Sequence, residues 1–247
     1  APDLIQKLNA ARAEGIDITA DIYPYTYWQA NMMVLIPSRD LNARSEYEFA
    51  LKEIAPPEGF WLTQFDPQPE YVGKKLTEIA QLRQTDPVTA MMQLTAESKA
   101  YGDSADTMIG TSMIDDDIYK LWAWPHTNLC TDGYLADLHP RGTGSFPRVL
   151  GRYVREQKLM NLEEAVHKMS GLAARHMGIS NRGLIRTGMA ADLVLFDPDT
   201  VIDHATPTNP MARNSGISTV WVNGTVVFDA GVASGHYPGH VIRRQGS

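Results

Sequence analysis

The first candidate for chemistry is Asp132. It lies near the end of residues 127–133, a short run that begins like a buried strand. Proteins of the α/β class place catalytic groups at the carboxyl ends of strands. Asp132 is followed by Gly133, however, and Asp-Gly is one of the commonest turn pairs. The spacing alone therefore leaves two interpretations open, a catalytic carboxylate or a simple turn after a strand.

A second candidate is the aromatic segment from Tyr23 to Trp28, in which five of six residues are tyrosine, tryptophan or proline rings. It follows a predicted strand, so its rings could line a pocket at the same edge of a sheet. The alternative is a loop whose rings pack only against one another.

Three further groups raise the question of a metal site, and their spacing argues against each. Residues 115–117 are consecutive aspartates, which we interpret as the acidic first turn of a helix. His167 and His176 lie nine positions apart on one predicted helix and therefore point in opposite directions. His236 and His240 enclose Pro-Gly, which prevents the helix that would bring both rings to one face.

The elements that must position these residues begin with a helix predicted over residues 2–14 and a strand over residues 16–23. A helix that leads into a strand is typical of a crossover between parallel strands. Later helices are predicted over residues 146–156 and after Asn161, which we expect to cap its helix.

The sequence pattern of residues 38–125 predicts mostly helices, and the segment looks like an insertion between two strands. Ser45 and Glu48 predict a capping box, the periodicity predicts a helix over residues 70–83, and Asp86 with Pro87 predicts another helix start. Long insertions of this kind often act as lids.

From Asn181 onward the pattern predicts a small β domain. Residues 193–196 form one predicted strand, and residues 219–228 form two strands joined by Asn223-Gly224. Asn-Gly is the strongest local signal for a hairpin.

Composition excludes several classes of protein. The 247 residues carry 22 basic and 29 acidic side chains without a basic run, which argues against a nucleic-acid partner. No apolar run reaches the roughly 18 residues of a membrane helix, and no signal peptide is visible. The single cysteine, Cys130, excludes an internal disulfide framework. It suits a reducing compartment, so we expect a cytoplasmic protein.

Five segments together resemble the N-acyl-D-amino-acid deacylases, or D-aminoacylases, of the amidohydrolase superfamily. The resemblance runs from residue 1 to about residue 243, and the order of the segments is specific, although the last one alone occurs throughout the superfamily. The segments are Ala20–Tyr25, Cys130–Gly133, His139–Gly151, Glu164–Leu172 and Arg182–Val194.

The resemblance implies an α/β fold, a metal-dependent (β/α)8 barrel with a helical insertion and a small β-sandwich. Residues 1–180 would be the C-terminal portion of the barrel, with the insertion at 38–125, and residues 181–247 would belong to the sandwich. The implied metal is Zn²⁺. Asp132 would be a metal ligand and the general base that moves a proton from water to the leaving amine. Tyr23 and Arg141 would bind the carboxylate of a small-molecule N-acyl-D-amino acid.

Two departures from the family matter. Gln29 occupies a position where the family can have a serine near the substrate carboxylate, and the family's metal histidines and cysteine would lie before residue 1. Cys130 is in the wrong strand to replace that cysteine, and zinc takes about three or four protein ligands. We therefore expect this chain to be the C-terminal half of an enzyme, inactive without its N-terminal half.

Two alternatives remain open from the sequence. One is a different hydrolase of the superfamily acting on amides or cyclic amides, which the Tyr-Pro-Tyr and His-Pro-Arg stretches argue against. The other is a non-catalytic half that docks on an N-terminal partner.

Overall fold

The structure is a computed structural model that describes residues 1–134 and 138–243. It is a mixed α/β structure, in which helices and three separate sheets alternate along the chain. In these two ranges no helix combines the length and the apolar character that a bilayer crossing requires.

The strands, in chain order, are β1 Ala20–Ile22, β2 Tyr27–Ala30, β3 Phe60–Phe65, β4 Asp106–Thr111, β5 Thr127–Leu129, β6 Leu193–Phe196, β7 Ile217–Val222, β8 Thr225–Asp229 and β9 Val232–Ala233. The α-helices are α1 Pro2–Ala13, α2 Arg44–Phe49, α3 Leu76–Leu82, α4 Pro87–Tyr101, α5 Asp115–Ala123, α6 Arg141–Arg148, α7 Leu162–Met169 and α8 Gly171–His176. Short 3-10 helices span Met32–Leu35, Pro57–Gly59 and Pro69–Tyr71, and wider π turns span Ala50–Ile54 and Val149–Glu156.

Strands β1 and β5 form the parallel pair that carries both candidate segments. Asp21 pairs with Asn128 and Ile22 with Leu129, and the Cys130 amide donates to the carbonyl of Ile22 at 3.0 Å. Since the strands are parallel, their carboxyl ends meet at one edge. The residues that follow β1 and β5 are therefore neighbours in space.

One face of the parallel pair is covered by helices α5 and α7 and by the π turn after α6. Burying one aliphatic or aromatic side chain here stabilises the fold by about 1.5–3 kcal/mol. The buried cluster consists of Ile118, Trp122, Leu129, Val149, Tyr153 and Ala165, with Ile22 packed against it.

The middle of the chain is mostly helical, as predicted, but it also contains two strands that the sequence analysis did not predict. These are β3 and β4, which pair antiparallel with each other and with β2 in the order β2-β4-β3. Phe60 lies opposite Gly110, and a Cβ at Gly110 would overlap the ring of Trp28. Helices α2, α3 and α4 supply much of a second buried core against this sheet.

Two helix boundaries in this region also differ from prediction. Helix α2 begins at Arg44 with Ala43 before it, so Ser45 lies inside the helix and the predicted capping box is wrong. The helix predicted over residues 70–83 starts only at Leu76, because Gly73 takes φ = +83 and interrupts the chain.

Other local predictions are confirmed. Asp86 accepts from the amide of Thr89 at 3.0 Å and begins α4, and Asn161 likewise begins α7. The Asn223-Gly224 hairpin joins β7 to β8, with φ of +48 and +77 at the two turn residues. The sheet it belongs to has the order β6-β7-β8-β9.

The prediction that one continuous helix carries both His167 and His176 was wrong. The segment is two helices, α7 and α8, separated at Ser170. His176 lies against the parallel pair, with its Nδ1 2.8 Å from Oδ1 of Asn128. The limits of the insertion at 38–125 and of the small β portion at 181 stay predictions, as do a closed barrel and a sandwich.

A buried ion pair joins helix α6 to the segment between β6 and β7. Arg148 Nη1 lies 3.3 Å from Oδ2 of Asp203, whose side chain is only 4% exposed. Tyr25 donates its hydroxyl to the same oxygen at 3.1 Å, and the Arg148 guanidinium lies over the Tyr25 ring at 4.6 Å. Asp203 thus holds together the loop after β1, helix α6 and the β6–β7 segment.

Replacing Asp203 by alanine is expected to destabilise the fold by about 3–5 kcal/mol, because Arg148 would remain buried without its carboxylate. Urea unfolding followed by tyrosine and tryptophan fluorescence measures this change. The matched control is Asp103→Ala, which removes an exposed carboxylate paired with Lys99 and should leave the unfolding midpoint almost unchanged. Equal midpoints for the two variants would contradict this account of the pair.

Candidate active site

The two strand ends bring Tyr23 and Asp132 to the same edge of the parallel pair. Tyr23 directly follows β1, and Asp132 lies three residues beyond β5. Asp132 takes φ = +49, a left-handed backbone that aspartate adopts more readily than most residues. No regular turn is assigned at Asp132-Gly133, and the Asp132 carboxylate is largely exposed beyond the end of the strand.

Arg141 is the side chain that connects these two residues. It is the first residue of α6, and its Nη1 lies 2.9 Å from Oδ2 of Asp132. Its guanidinium carbon lies 5.0 Å from the centre of the Tyr23 ring. The Arg141 side chain is 12% exposed and that of Asp132 is 62% exposed. A mostly buried cation thus lies beside a carboxylate that remains open to solvent.

The Tyr23 hydroxyl is a hydrogen-bond donor at neutral pH. Burial raises the pKa of Tyr23, and the positive charge and hydrogen bond of Arg141 lower it by less. A protonated phenol and a guanidinium side by side offer donors of the kind that a carboxylate accepts.

Two further rings of the aromatic segment, one before β2 and one at its first residue, pack against each other. Tyr25 is fully buried, and its ring centre lies 5.4 Å from that of Tyr27. Only Tyr23, among these three tyrosines, contacts Arg141 beside the open carboxylate. The packing interpretation is therefore confirmed for Tyr25 and Tyr27, and the pocket interpretation stays a prediction for Tyr23.

His139 is a buried residue of this site that the sequence reasoning did not identify. Its side chain is fully buried, its Nδ1 accepts from the Arg141 amide at 2.9 Å, and its Nε2 lies 3.0 Å from the Tyr27 carbonyl. Alternating tyrosines after β1, together with a histidine beside Pro140, were the available signal. Nothing in the spacing, however, shows that the two segments meet.

Gln29 lies on β2, opposite Ile109 of β4. Its side-chain oxygen is buried and makes no hydrogen bond to any residue in the described ranges. The structure therefore places Gln29 in the antiparallel sheet of β2, β4 and β3, and its position relative to a substrate carboxylate stays a prediction.

The described residues of this chain do not form a zinc site by themselves. Across residues 1–134 and 138–243, no three side chains of His, Cys, Asp or Glu come together to hold a metal. Burial, and then the charges of Asp21 and Asp132, raise the pKa of Cys130 to about 11, which disfavours the thiolate that zinc binds. Asp132 pairs with Arg141 and joins no group of donors among the described residues, and one carboxylate is not a zinc site.

Comparison with known proteins gives consistent results. The chain is 37% identical over 245 residues to the N-acyl-D-glutamate deacylase of Alcaligenes xylosoxydans xylosoxydans, which covers 98% of this chain and 45% of that protein. It is 34% identical over 230 residues to the D-aminoacylase of the same organism, covering 92% of this chain and 42% of that one. The chain thus spans less than half the length of the curated relatives that it matches. The resemblance inferred from its motifs is confirmed.

A solved structure agrees with these relatives. The N-acyl-D-glutamate deacylase of Bordetella bronchiseptica, complexed with zinc and a phosphonate inhibitor, superposes with a TM-score of 0.76 at 36% identity, over 94% of this chain and 44% of that one. The family described as "Amidohydrolase family" matches residues 76–228. Because that match covers more than half of the residues, the chain belongs to the amidohydrolase family.

Proposed function

We propose that this chain supplies the general base and the carboxylate-binding residues of a hydrolase that cleaves the amide bond of N-acyl-D-amino acids. The observation that carries the proposal is the group of Asp132, Arg141 and Tyr23, in which a buried guanidinium lies between an exposed carboxylate and a tyrosine. The names of the similar proteins supply the substrate class. The products would be a carboxylate and a free D-amino acid.

Arg141 and Tyr23 would bind the α-carboxylate of the substrate. The Arg141 guanidinium carries five N–H donors in a planar fork, which is the geometry that pairs with a carboxylate. The raised pKa of Tyr23 keeps its proton available for the same carboxylate. The substrate carboxylate and Asp132 are both negative and would repel each other at close range. The positive charge of Arg141 would offset this repulsion.

Asp132 would act as the proton carrier of the reaction. Its exposed carboxylate can take a proton from the water that attacks the acyl carbon. When the carbon–nitrogen bond breaks, the same proton goes to the leaving nitrogen. Water thus supplies the hydroxyl of the new acid and one hydrogen of the new amine, so that Asp132 returns to its starting state.

Zn²⁺ is the metal that we propose for the whole protein, because a similar solved structure is complexed with zinc. Such an ion lowers the pKa of a bound water. Since the described residues of this chain gather no donor set, its other ligands would come from the part of the relatives' length that this chain does not span. That part is the partner we propose for this chain.

We also propose the domain limits, the location and the lid function that the sequence predicts. The domain limits at residues 38–125 and 181 follow the family resemblance, and a cytoplasmic location rests on the single cysteine, Cys130. The expected lid function of the insertion likewise rests on its length and position.

The first experiment compares this chain with a version extended by the upstream gene sequence. Zinc content and hydrolysis of N-acetyl-D-glutamate, N-acetyl-D-aspartate and N-acetyl-D-methionine are measured for both, with the L enantiomers as controls. We expect only the extended protein to bind zinc and to hydrolyse a D-substrate. Zinc binding and turnover by the short chain alone would contradict our account of the metal, and no turnover by either would leave the non-catalytic half as the better description.

In the extended protein, Asp132→Asn should lower kcat by about 100- to 10,000-fold, because an amide cannot accept the proton that a general base removes. KM should change little, since Arg141 and Tyr23 remain. Steady-state kinetics measure both values, and Asp103→Asn, which alters an exposed carboxylate elsewhere, serves as the matched control. A variant with wild-type kcat would exclude Asp132 as the base.

Arg141→Lys should raise KM by about 10- to 100-fold, with a smaller effect on kcat. Lysine keeps the charge but loses the planar fork that binds a carboxylate through two parallel hydrogen bonds. The matched control is Arg213→Lys, which changes an exposed arginine in the segment between β6 and β7. If kcat falls while KM stays constant, Arg141 acts on the transition state and does not bind the substrate carboxylate.

A further inference from the structure

The buried imidazole of His139 lies behind the proposed carboxylate site and touches no reacting atom. It lies C-terminal to β5 in the chain and directly precedes Pro140 and α6. Its side chain is fully buried, and both ring nitrogens have a backbone partner. Nδ1 faces the amide of Arg141 at 2.9 Å, and Nε2 faces the carbonyl of Tyr27 at 3.0 Å.

These two contacts fix where the ring carries its proton. The Arg141 amide can only donate, so Nδ1 must be the unprotonated acceptor. The Tyr27 carbonyl can only accept, so Nε2 must carry the hydrogen. Burial lowers the pKa of His139 to about 3, so the ring stays neutral and keeps this arrangement at neutral pH.

Three tyrosine rings surround the imidazole. The ring centres of Tyr23, Tyr25 and Tyr27 lie 6.0, 5.5 and 4.8 Å from that of His139. A phenyl ring in place of the imidazole would fill much of the same space, but it would leave the Arg141 amide and the Tyr27 carbonyl without these partners. Packing alone therefore does not account for a histidine at this position.

We propose that His139 is a positioning residue, whose Nδ1 holds the backbone of Arg141 so that the guanidinium reaches both the Tyr23 ring and the substrate carboxylate. The tyrosines fix the imidazole, the imidazole fixes the first residue of α6, and that residue presents its side chain beside Asp132. This inference rests on the proposed function for the identity of the substrate. The hydrogen-bond arrangement itself does not depend on that function.

Two substitutions separate the two hydrogen bonds. In His139→Asn the side-chain oxygen takes the place of Nδ1 and can still accept from the Arg141 amide. In His139→Gln the side-chain amide nitrogen takes the place of Nε2 and can still donate to the Tyr27 carbonyl. Both variants lose the ring and its tyrosine contacts, so each is the matched control for the other.

The variants are made in the extended protein and assayed on the N-acetyl-D-amino acid that the wild type hydrolyses. His139→Gln should raise KM about tenfold or more, with a smaller change in kcat. The reason is that an Arg141 guanidinium displaced by about 1 Å no longer aligns with the substrate carboxylate. His139→Asn should stay within about threefold of the wild-type KM at comparable melting temperature. A wild-type KM for His139→Gln, or an equal rise in both variants, would overturn the proposal.

A second measurement does not need activity or a variant that folds. Nitrogen-15 NMR of histidine-labelled wild-type protein at pH 7, assigned through contacts with the tyrosine ring protons, should show His139 neutral with the proton on Nε2. A proton on Nδ1, or a cationic ring, would overturn the hydrogen-bond arrangement. If the wild type hydrolyses no N-acyl-D-amino acid, the proposed function and the substrate part of this inference both fail, whereas the NMR result still decides the hydrogen-bond part.

Discussion

The buried pair of Arg148 and Asp203 is the constraint on which the geometry of the site depends. Arg148 lies near the carboxyl end of α6, two helical turns from Arg141 at the other end, so both project from nearly the same face of the helix. Asp203 comes from the β6–β7 segment and also binds the Tyr25 hydroxyl. The segment between β6 and β7 is thereby fixed to helix α6, which carries the candidate substrate-binding residue Arg141. Close packing here requires a glycine at position 144, because a Cβ on Gly144 would collide with the Tyr25 hydroxyl.

The site combines a rigid, buried recognition side with an open catalytic side. Arg141 is held from behind by His139 and is covered by protein, while the Asp132 carboxylate is largely exposed. A buried, preorganised cation favours binding of an anion without new reorganisation at each turnover. Within the function proposed here, this chain contributes recognition and proton transfer, while the rest of the protein contributes the metal. The described residues accordingly gather no metal donor set of their own.

Several features of this protein were determined by the sequence alone. The cap residues Asp86 and Asn161 begin the helices that they predict, and Asn223-Gly224 makes its hairpin. These signals work because each depends on contacts within a few residues of chain. The candidate residues Tyr23, Arg141 and Asp132 were also identified from sequence, through a resemblance of motifs in a fixed order, and the roles proposed for them still rest on it.

Only the tertiary structure decided the features that depend on distant contacts. Strands β3 and β4 were missed because their partners are separated by dozens of residues, as in the pairing of Phe60 with Gly110. The sequence could not show the contacts of His139, because its three tyrosine neighbours lie more than a hundred positions away in the chain. The helix containing His167 and His176 looked continuous, yet the chain breaks it at Ser170. In each case packing outweighs local preference, since burial and hydrogen bonding are satisfied between segments and not within them.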